Sequence, residues 1–575
     1  MILNRKLLLI VILLLTAGAP FPARSQSKSP NRQEGPSKPA PPADSPIRFA
    51  FQPIDFKLDS NESLQYHAPE TMAGGVAIFD YNNDGKLDIF FTNGANLKTL
   101  KKDSPKYSNR LFENDGQGHF TDVTEKAGLA GTGYDTGVAV GDYDNDGFED
   151  LFVAGVYRNT LYHNNGDGTF TDVTAKAGLN KPEAEYGPLW SVAAAWVDVN
   201  NDGLLDLVVI NYLKWDFDHE PVCIGYGHPD YCHPKMYKPT PNQLFLNNGD
   251  GTFHDASVEA GFRSHPGKGM GVAIADSTLS GKMDLIVPND KLMNQFFRNM
   301  STAKNGVKFE EEAFEENVAL REDGTYISGM GVDFRDLDND GLPDIVIVAL
   351  DGETFPIYKN TGKGSFSEVT RESGMTRLSL PMSGYSPNVA DFDNDGWKDI
   401  FVSRGHVQSL ASEGNLSVAQ PNTVFRNLGG MKFSALTAEA GFTAQPPSRH
   451  RGSAVGDLNG DGKLDVVVSA LSAPAEIWIN QSPGTNHWIE FKLQGVKSNR
   501  DGIGSRIKVV TKSGAQYNHM TTSCGYASSS AGPVHFGLGA NATVDLVEIH
   551  WPSGIVQTMK NVEADRMVVV KESGK

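Results

Sequence analysis

DYDNDGFED, residues Asp142–Asp150, lies between the apolar runs GVAVG and LFVAG. Runs this short, bounded by turn residues, read as strands, so the acidic nonapeptide is the loop of a strand–loop–strand hairpin. The pattern recurs as DYNNDGKLD (Asp80–Asp88), DVNNDGLLD (Asp198–Asp206), DSTLSGKMD (Asp276–Asp284), DLDNDGLPD (Asp336–Asp344), DFDNDGWKD (Asp391–Asp399) and DLNGDGKLD (Asp457–Asp465). Seven copies at near-regular spacing mark a repeat architecture.

Each loop carries oxygen-bearing side chains at positions 1, 3, 5 and 9, and position 7 can offer its backbone carbonyl. In loop 2 these are Asp142, Asp144, Asp146, Phe148 and Asp150. Loop 1 has Asp80, Asn82, Asp84, Lys86 and Asp88, and loop 3 has Asp198, Asn200, Asp202, Leu204 and Asp206. Loop 5 has Asp336, Asp338, Asp340, Leu342 and Asp344, and loop 6 has Asp391, Asp393, Asp395, Trp397 and Asp399. Loop 7 has Asp457, Asn459, Asp461, Lys463 and Asp465. Hard oxygen ligands in a flexible loop suit calcium. Loop 4 keeps only Asp276 and Asp284 as carboxylates, with Thr278 and Ser280 between them, so weak binding or none is expected there and about six ions in all. Position 6 is always Gly, where a positive φ is expected. An EF-hand would need Glu at position 12; here that position is Phe91, Val153, Val209, Val287, Ile347, Val402 or Val468, all strand residues. The loops therefore read as static hairpin staples, not as helix-pair sensors.

A second element follows several loops: NRLFENDGQGHFTDV from Asn109, NTLYHNNGDGTFTDV from Asn159 and NQLFLNNGDGTFHDA from Asn242, with a looser copy at 422–442. It supplies two more strands around a Gly-rich turn, which makes four strands per repeat, the content of one propeller blade. The seventh repeat lacks its last strand, while IRFAFQPIDFKL (Ile47–Leu58) precedes the first loop. This segment is expected to complete the seventh blade and close the ring, removing exposed sheet edges.

The fold class is thus all-β: a seven-bladed propeller over 47–482 and a small β-domain over 487–572. Ahead of these, Arg5 and Lys6, the apolar run Leu7–Leu15 and the small residues around Ala23–Ser25 read as a signal peptide, 1–25. Residues 26–46, rich in Pro and Ser, read as a disordered tether. The apolar run is short for a bilayer span, and no later stretch could cross. Cleavage would take the net charge from −19 to −22, and six calcium ions would bring it to −10. That balance argues against nucleic acid as a partner.

The repeats resemble the FG-GAP/VCBS repeats of integrin α-subunit propellers. The segments SNRDGIGSRIKVVTKSG (Ser498–Gly514), VHFGLG (Val534–Gly539) and VDLVEIHWPSG (Val544–Gly554) resemble an ASPIC/UnbV domain. Together they resemble the cartilage acidic protein-like family and its bacterial members. The resemblance implies a calcium-bearing propeller followed by a small β-domain, and it carries no catalytic residues over.

Between loop 3 and Asn242 lies LKWDFDHEPVCIGYGHPDYCHPKMYKPTP, rich in aromatics, His and Pro. In an exported chain Cys223 and Cys232 are expected to form a disulfide; a zinc site using them with His219, His228 or His233 is the alternative. The loop either projects for sugar or protein contact or folds over its blade to cover apolar surface. Cys524 is left over as a buried thiol. Arg404, His406 and 448–451 are candidates for a propeller face, or are solvated or paired. Arg500, Asp501 and Arg506 form either a polar site or a structural network.

These readings give a secreted, periplasmic or cell-surface binding protein, adhesion-like, stabilised by calcium, monomeric, with a protein or glycan ligand. An extracellular propeller lyase or hydrolase acting on polysaccharide is the alternative. No Ser/His/Asp arrangement, HExxH or P-loop supports it, so no catalytic residue is assigned.

Overall fold

The computed structural model describes residues 45–574 apart from 182, 184, 226 and 408–416. The expected leader, and the expected tether up to residue 44, lie outside the described residues.

Seven antiparallel sheets follow one another along the chain. Sheet 1 contains Val76–Phe79, Asp88–Phe91, Arg110–Asn114 and Phe120–Asp122. Sheets 2 to 6 open on Asp135–Gly141, Ser191–Val197, Ala273–Ala275, Val332–Arg335 and Gly384–Ala390, and each has four strands. Sheet 7 contains His450–Gly456, Asp465–Ala470 and Pro474–Asn480, and its fourth strand is the N-terminal Phe49–Lys57, paired Phe49↔Asn480 to Pro53↔Glu476. The first strands touch in sequence from sheet 1 to sheet 7, and the first strand of sheet 7 touches that of sheet 1. This closed circuit of four-stranded units is consistent with the blades of a propeller.

Burial falls outward along each sheet. Val76–Phe79 and Asp88–Phe91 are buried at every residue, whereas Phe120–Asp122 is largely exposed. The inner strands are covered on both faces by neighbouring sheets, and strands such as Val76–Phe79 and Ala273–Ala275 accordingly lack polar alternation. Apolar clusters such as Ala77, Phe79, Val138, Val140 and Leu151 fill the space between consecutive sheets.

The C-terminal segment forms two sheets. His487–Gln494 lies between Val534–Gly539 and Arg566–Lys571, and a four-stranded sheet runs Gly514–His519, Arg506–Thr511, Thr543–His550 and Val556–Glu563. It is less separate than the sequence suggests. One apolar cluster runs from Val208 and Leu285 of the ring through Met283 to Phe491, Val547 and Trp551.

Between its sheets this segment sends a short hairpin, Ser523–Cys524 and Ser528–Ser530, among the inner strands of the ring. The hairpin touches the first strand of all seven sheets. Ser528–Ser530 pairs in parallel with sheet 1 through Ala77↔Ser529. Gly525 and Val332 exchange both backbone bonds (2.9 and 3.2 Å), and Val138 N donates to Ala527 O (3.0 Å). Thr522 Oγ1 donates to Val140 O (2.7 Å), Ser523 Oγ to Val272 O (2.6 Å), and Tyr526 OH to Met72 O (2.6 Å). The hairpin supplies partners that the inner strand edges would otherwise lack. Gly75, Gly271, Gly331 and Gly452 face it so closely that a Cβ would strike hairpin atoms, and one at Gly137 would press on Ala527 at 3.2 Å. Cys524 is buried here, with burial pushing its thiol up to about 11.

Candidate metal centres beneath the C-terminal sheets

The acidic loops share one hydrogen-bonded frame, complete in five of the seven and altered at one donor in loop 4, where Ser277 Oγ serves, and in loop 5, where Asp338 N serves. In loop 2, Asp142 Oδ1 accepts from Asp146 N (3.0 Å) and Oδ2 from Gly147 N (2.7 Å). Asp150 Oδ2 accepts from Tyr143 N (3.2 Å), and its Oδ1 from Asn164 N (2.8 Å) in the third strand. The frame repeats at Asp80 and Asp88, at Asp198 and Asp206, and at Asp391 and Asp399. Position 6 turns with positive φ in every copy, from 79° at Gly462 to 96° at Gly147 and Gly396, a conformation Gly adopts cheaply.

These bonds leave the carboxylates well short of compensation. Burial pushes Asp88 up to about 8, Asp150 to about 7 and Asp198 to about 6. It also holds Asp206, Asp344 and Asp465 well above the usual carboxylate range. Packed, desolvated carboxylates of this kind fit a bound cation. Among the described residues, four groups of three ligand atoms lie close enough to share one ion. They are Asp142, Asp144 and Asp150; Asp144, Asp146 and His163; Asp336, Asp338 and Asp340; and Asp391, Asp393 and Asp399.

His163 is a member that the loop pattern alone does not reveal. Its Nδ1 lies 3.3 Å from both Asp144 Oδ2 and Asp150 Oδ1. It occupies the residue before the Asn that ends the third strand, and at that place the other sheets carry Glu113, Leu246, Arg298, Lys359, Arg426 and Ile479. Three of these bring a cation to their own loop. Lys359 pairs with Asp338 and with Asp340 (2.7 Å), and Arg426 pairs with Asp393 and Asp395 (both 2.7 Å). Arg298 pairs with Asp284 (3.3 Å) in loop 4 and also with Glu312 and Glu316.

The Asn itself is a second missed element. Asn164 Nδ2 donates to Tyr81 O of the preceding sheet (2.8 Å). Asn247, Asn299, Asn360, Asn427 and Asn480 reach back to Tyr143, Val199, Ser277, Leu337 and Phe392 in the same way. Position 4 of the loop binds forward: Asn83, Asn145, Asn201, Asn339 and Asn394 donate to the position-6 carbonyl of the next loop. Loops 4 and 7 carry Leu279 and Gly460 there and lack this bond. The repeated Asn residues were the visible signal; their partners lie a whole repeat away.

The C-terminal sheets cover this loop-bearing face. Asp501 Oδ2 accepts from Asp142 N (2.8 Å), Arg500 N donates to Asn145 Oδ1 (2.7 Å), and Asn486 Nδ2 donates to Asp393 O (2.8 Å). Arg500 and Asp501 thus join the C-terminal segment to loop 2. Arg506 instead lines a cavity of about 500 Å³ with Trp551, Tyr517 and the degenerate loop 4.

Cys223 and Cys232 form a disulfide, which removes the zinc alternative. The base of this insertion is strapped down. Glu220 accepts from Ala68 N (2.8 Å) and from Tyr237 OH (2.7 Å), and Tyr231 OH donates to Glu70 (2.9 Å). Trp215 is buried, while Val222 and Ile224 at the tip are 86% and 63% exposed, so the loop both covers its sheet and presents a tip. Arg404 and Arg451 are buried: Arg404 donates to Thr423 and Gln420, and Arg451 lies 3.8 Å from the centre of the Tyr385 ring. His406 pairs with Asp351 at 3.0 Å. These residues support the ring from within.

Residues 80–153, 142–209 and 324–402 match the FG-GAP-like repeat, residues 451–482 the FG-GAP repeat, and residues 495–575 the ASPIC and UnbV family. The chain is 26% identical over 526 residues to cartilage acidic protein 1 of Homo sapiens, covering 88% of this chain and 72% of that protein. It is 25% identical over 182 residues to integrin alpha-4 of Xenopus laevis, covering 28% of this chain and 16% of that protein. An Agrocybe aegerita lectin described as recognising non-reducing terminal N-acetylglucosamine aligns with a TM-score of 0.40 at 17% identity, over 70% of this chain and 87% of its own.

Proposed function

From a chain of FG-GAP repeats ending in an ASPIC and UnbV domain, distantly similar to cartilage acidic protein 1 over most of its length, we propose an exported binding protein built on a seven-bladed, integrin α-like propeller. Calcium is the ion of its loops, because their donors are hard oxygens on flexible hairpins. Export is supported by the disulfide, and no helix among the described residues is long and apolar enough to cross a membrane.

The observation that carries a binding role over a catalytic one is the filled axis. The 523–530 hairpin lies among the inner strands, and its own Tyr526 is fully buried in one apolar cluster with Trp190, Tyr212 and Tyr385. Tyr212 OH is bonded to Asp290 and Tyr526 OH to Met72 O, both in support of the ring. What remains for recognition is the rim and the disulfide-pinned tip, where rigid presentation of Val222 and Ile224 suits contact with a protein or glycan. The protein acts as a monomer on a non-nucleic-acid ligand.

The test is binding of the purified chain to arrays of extracellular proteins and glycans, in calcium and in chelator. Capture of a defined ligand that weakens on deleting 222–224 supports the reading. Catalytic turnover of a polysaccharide by the same preparation refutes it.

A further inference from the structure

The ring and its C-terminal cover do not meet everywhere. Between the strand His487–Gln494 and the loops of sheets 1, 2 and 7 lies a cavity of about 570 Å³. One wall is Trp488, Glu490, Lys492 and Gln494, the alternate residues of that strand. The loops contribute Asp80, Glu149 and Asp457, and Arg500 and Asp501 complete the charged lining.

Glu490 is 6% exposed, and its carboxylate has no hydrogen bond or ion pair among the described residues; its one electrostatic neighbour is another carboxylate, Asp457. Glu149 Oε2 is also buried without a partner. A buried carboxylate left unpaired is costly and calls for a counter-ion. A bare metal does not suit these groups, because none of the three-ligand clusters among the described residues includes Glu149, Glu490 or Asp501. With ions in loops 1 and 7, Asp80 and Asp457 are satisfied. Lys492 then offsets Glu149, and Arg500 offsets Asp501, which leaves the Glu490 charge over. The remaining lining is partly apolar, with Trp488, Phe491 and Met520.

We propose that this cavity binds a single primary ammonium group on an alkyl chain, from a free aliphatic amine or a lysine side chain, with Glu490 as counter-ion and Trp488 against the methylenes. The site stands independently of the ligand captured at the rim.

The experiment is calorimetric titration of the full chain in saturating calcium, with pentylamine and separately with a short end-blocked peptide containing one lysine. At least one of the two binds, and Glu490→Gln weakens that binding at least tenfold. Binding of pentylamine alone assigns the site to free amines, and equal binding of the peptide assigns it to lysine side chains. Glu490→Gln removes a charge that has no partner, so the variant folds. As a second readout, pentylamine raises the melting temperature of the parent and not of the variant. No binding of either probe, undiminished binding by Glu490→Gln, or binding seen only without calcium overturns the proposal.

Discussion

The side-chain amide of Asn114 donates to the Leu458 carbonyl at 2.8 Å, across the seam where the last sheet meets the first. It also holds Leu87 O of its own loop (2.9 Å). Asn114→Ala leaves both carbonyls without this buried partner, and is expected to cost about 1–3 kcal/mol in urea unfolding. Asn83→Ala removes an exposed forward bond to Gly147 O and should cost under about 0.5 kcal/mol. Equal losses would show that the seam is not held by the buried amide.

The axial hairpin makes its own prediction. Tyr526→Phe deletes the bond to Met72 O and should cost about 1–2 kcal/mol. Gly452→Ala drives a methyl toward Gly74 O and Ser528 Oγ, with an expected cost of about 1–3 kcal/mol from overpacking. A neutral Gly452→Ala, judged by the denaturant midpoint, would mean that the hairpin does not fill the axis.

Stability should depend on pH with opposite character in the presence and absence of calcium. Folded Asp88 and Asp150 titrate near 8 and 7, against about 3.9 in an unfolded chain. Raised folded pKa values mean that the calcium-free native state holds extra protons between those limits. The stability they contribute is full below about pH 4 and is lost as pH rises through 7 and 8. The melting temperature in chelator should therefore fall from pH 5 to pH 8.5, and the increment from calcium should widen over the same range. A calcium-free melting temperature that rises across this window contradicts the assignment.

The third-strand residue before the stitching Asn should set ion affinity loop by loop. Calcium must displace Lys359 to use Asp338 and Asp340, so Lys359→Met should tighten one site by about tenfold, read by competition with a chromophoric chelator. In loop 4, Thr278→Asp with Ser280→Asp should leave the ion count unchanged while Arg298 neutralises Asp284. Adding Arg298→Leu should raise the count by one in elemental analysis.

Much of the ring was legible because the repeat signals are local. Acidic positions, a Gly at position 6 and flanking apolar runs all fall within about fifteen residues, and the spare strand Phe49–Lys57 was recognisable by what the seventh repeat lacked. The stitching was not legible, although its Asn residues were plainly repeated. Asn164 finds its acceptor 83 residues earlier, and no periodicity within a strand points there. The hairpin was missed for a different reason. TTSCGYASSSAG (521–532) has the small, polar composition of a surface turn. It is buried because residues of matching smallness, Gly75, Gly137, Gly271, Gly331 and Gly452, stand just inside five of the seven inner strands. Charge compensation by Lys359, Arg426 and Arg298 also depends on a third strand lying over its loop, which no spacing rule discloses.

The axial hairpin also sets an order of events during synthesis. Val76 N, near the start of the ring, donates to Ser528 Oγ, 452 residues later, and Phe49 pairs with Asn480. The first blade to leave the ribosome therefore waits for almost the whole chain before its inner edge is satisfied. Contacts this distant in sequence slow folding and prolong exposure of unpaired strands. A truncation that removes only the last sixty residues therefore strands a ring that looks complete by repeat count but has no centre.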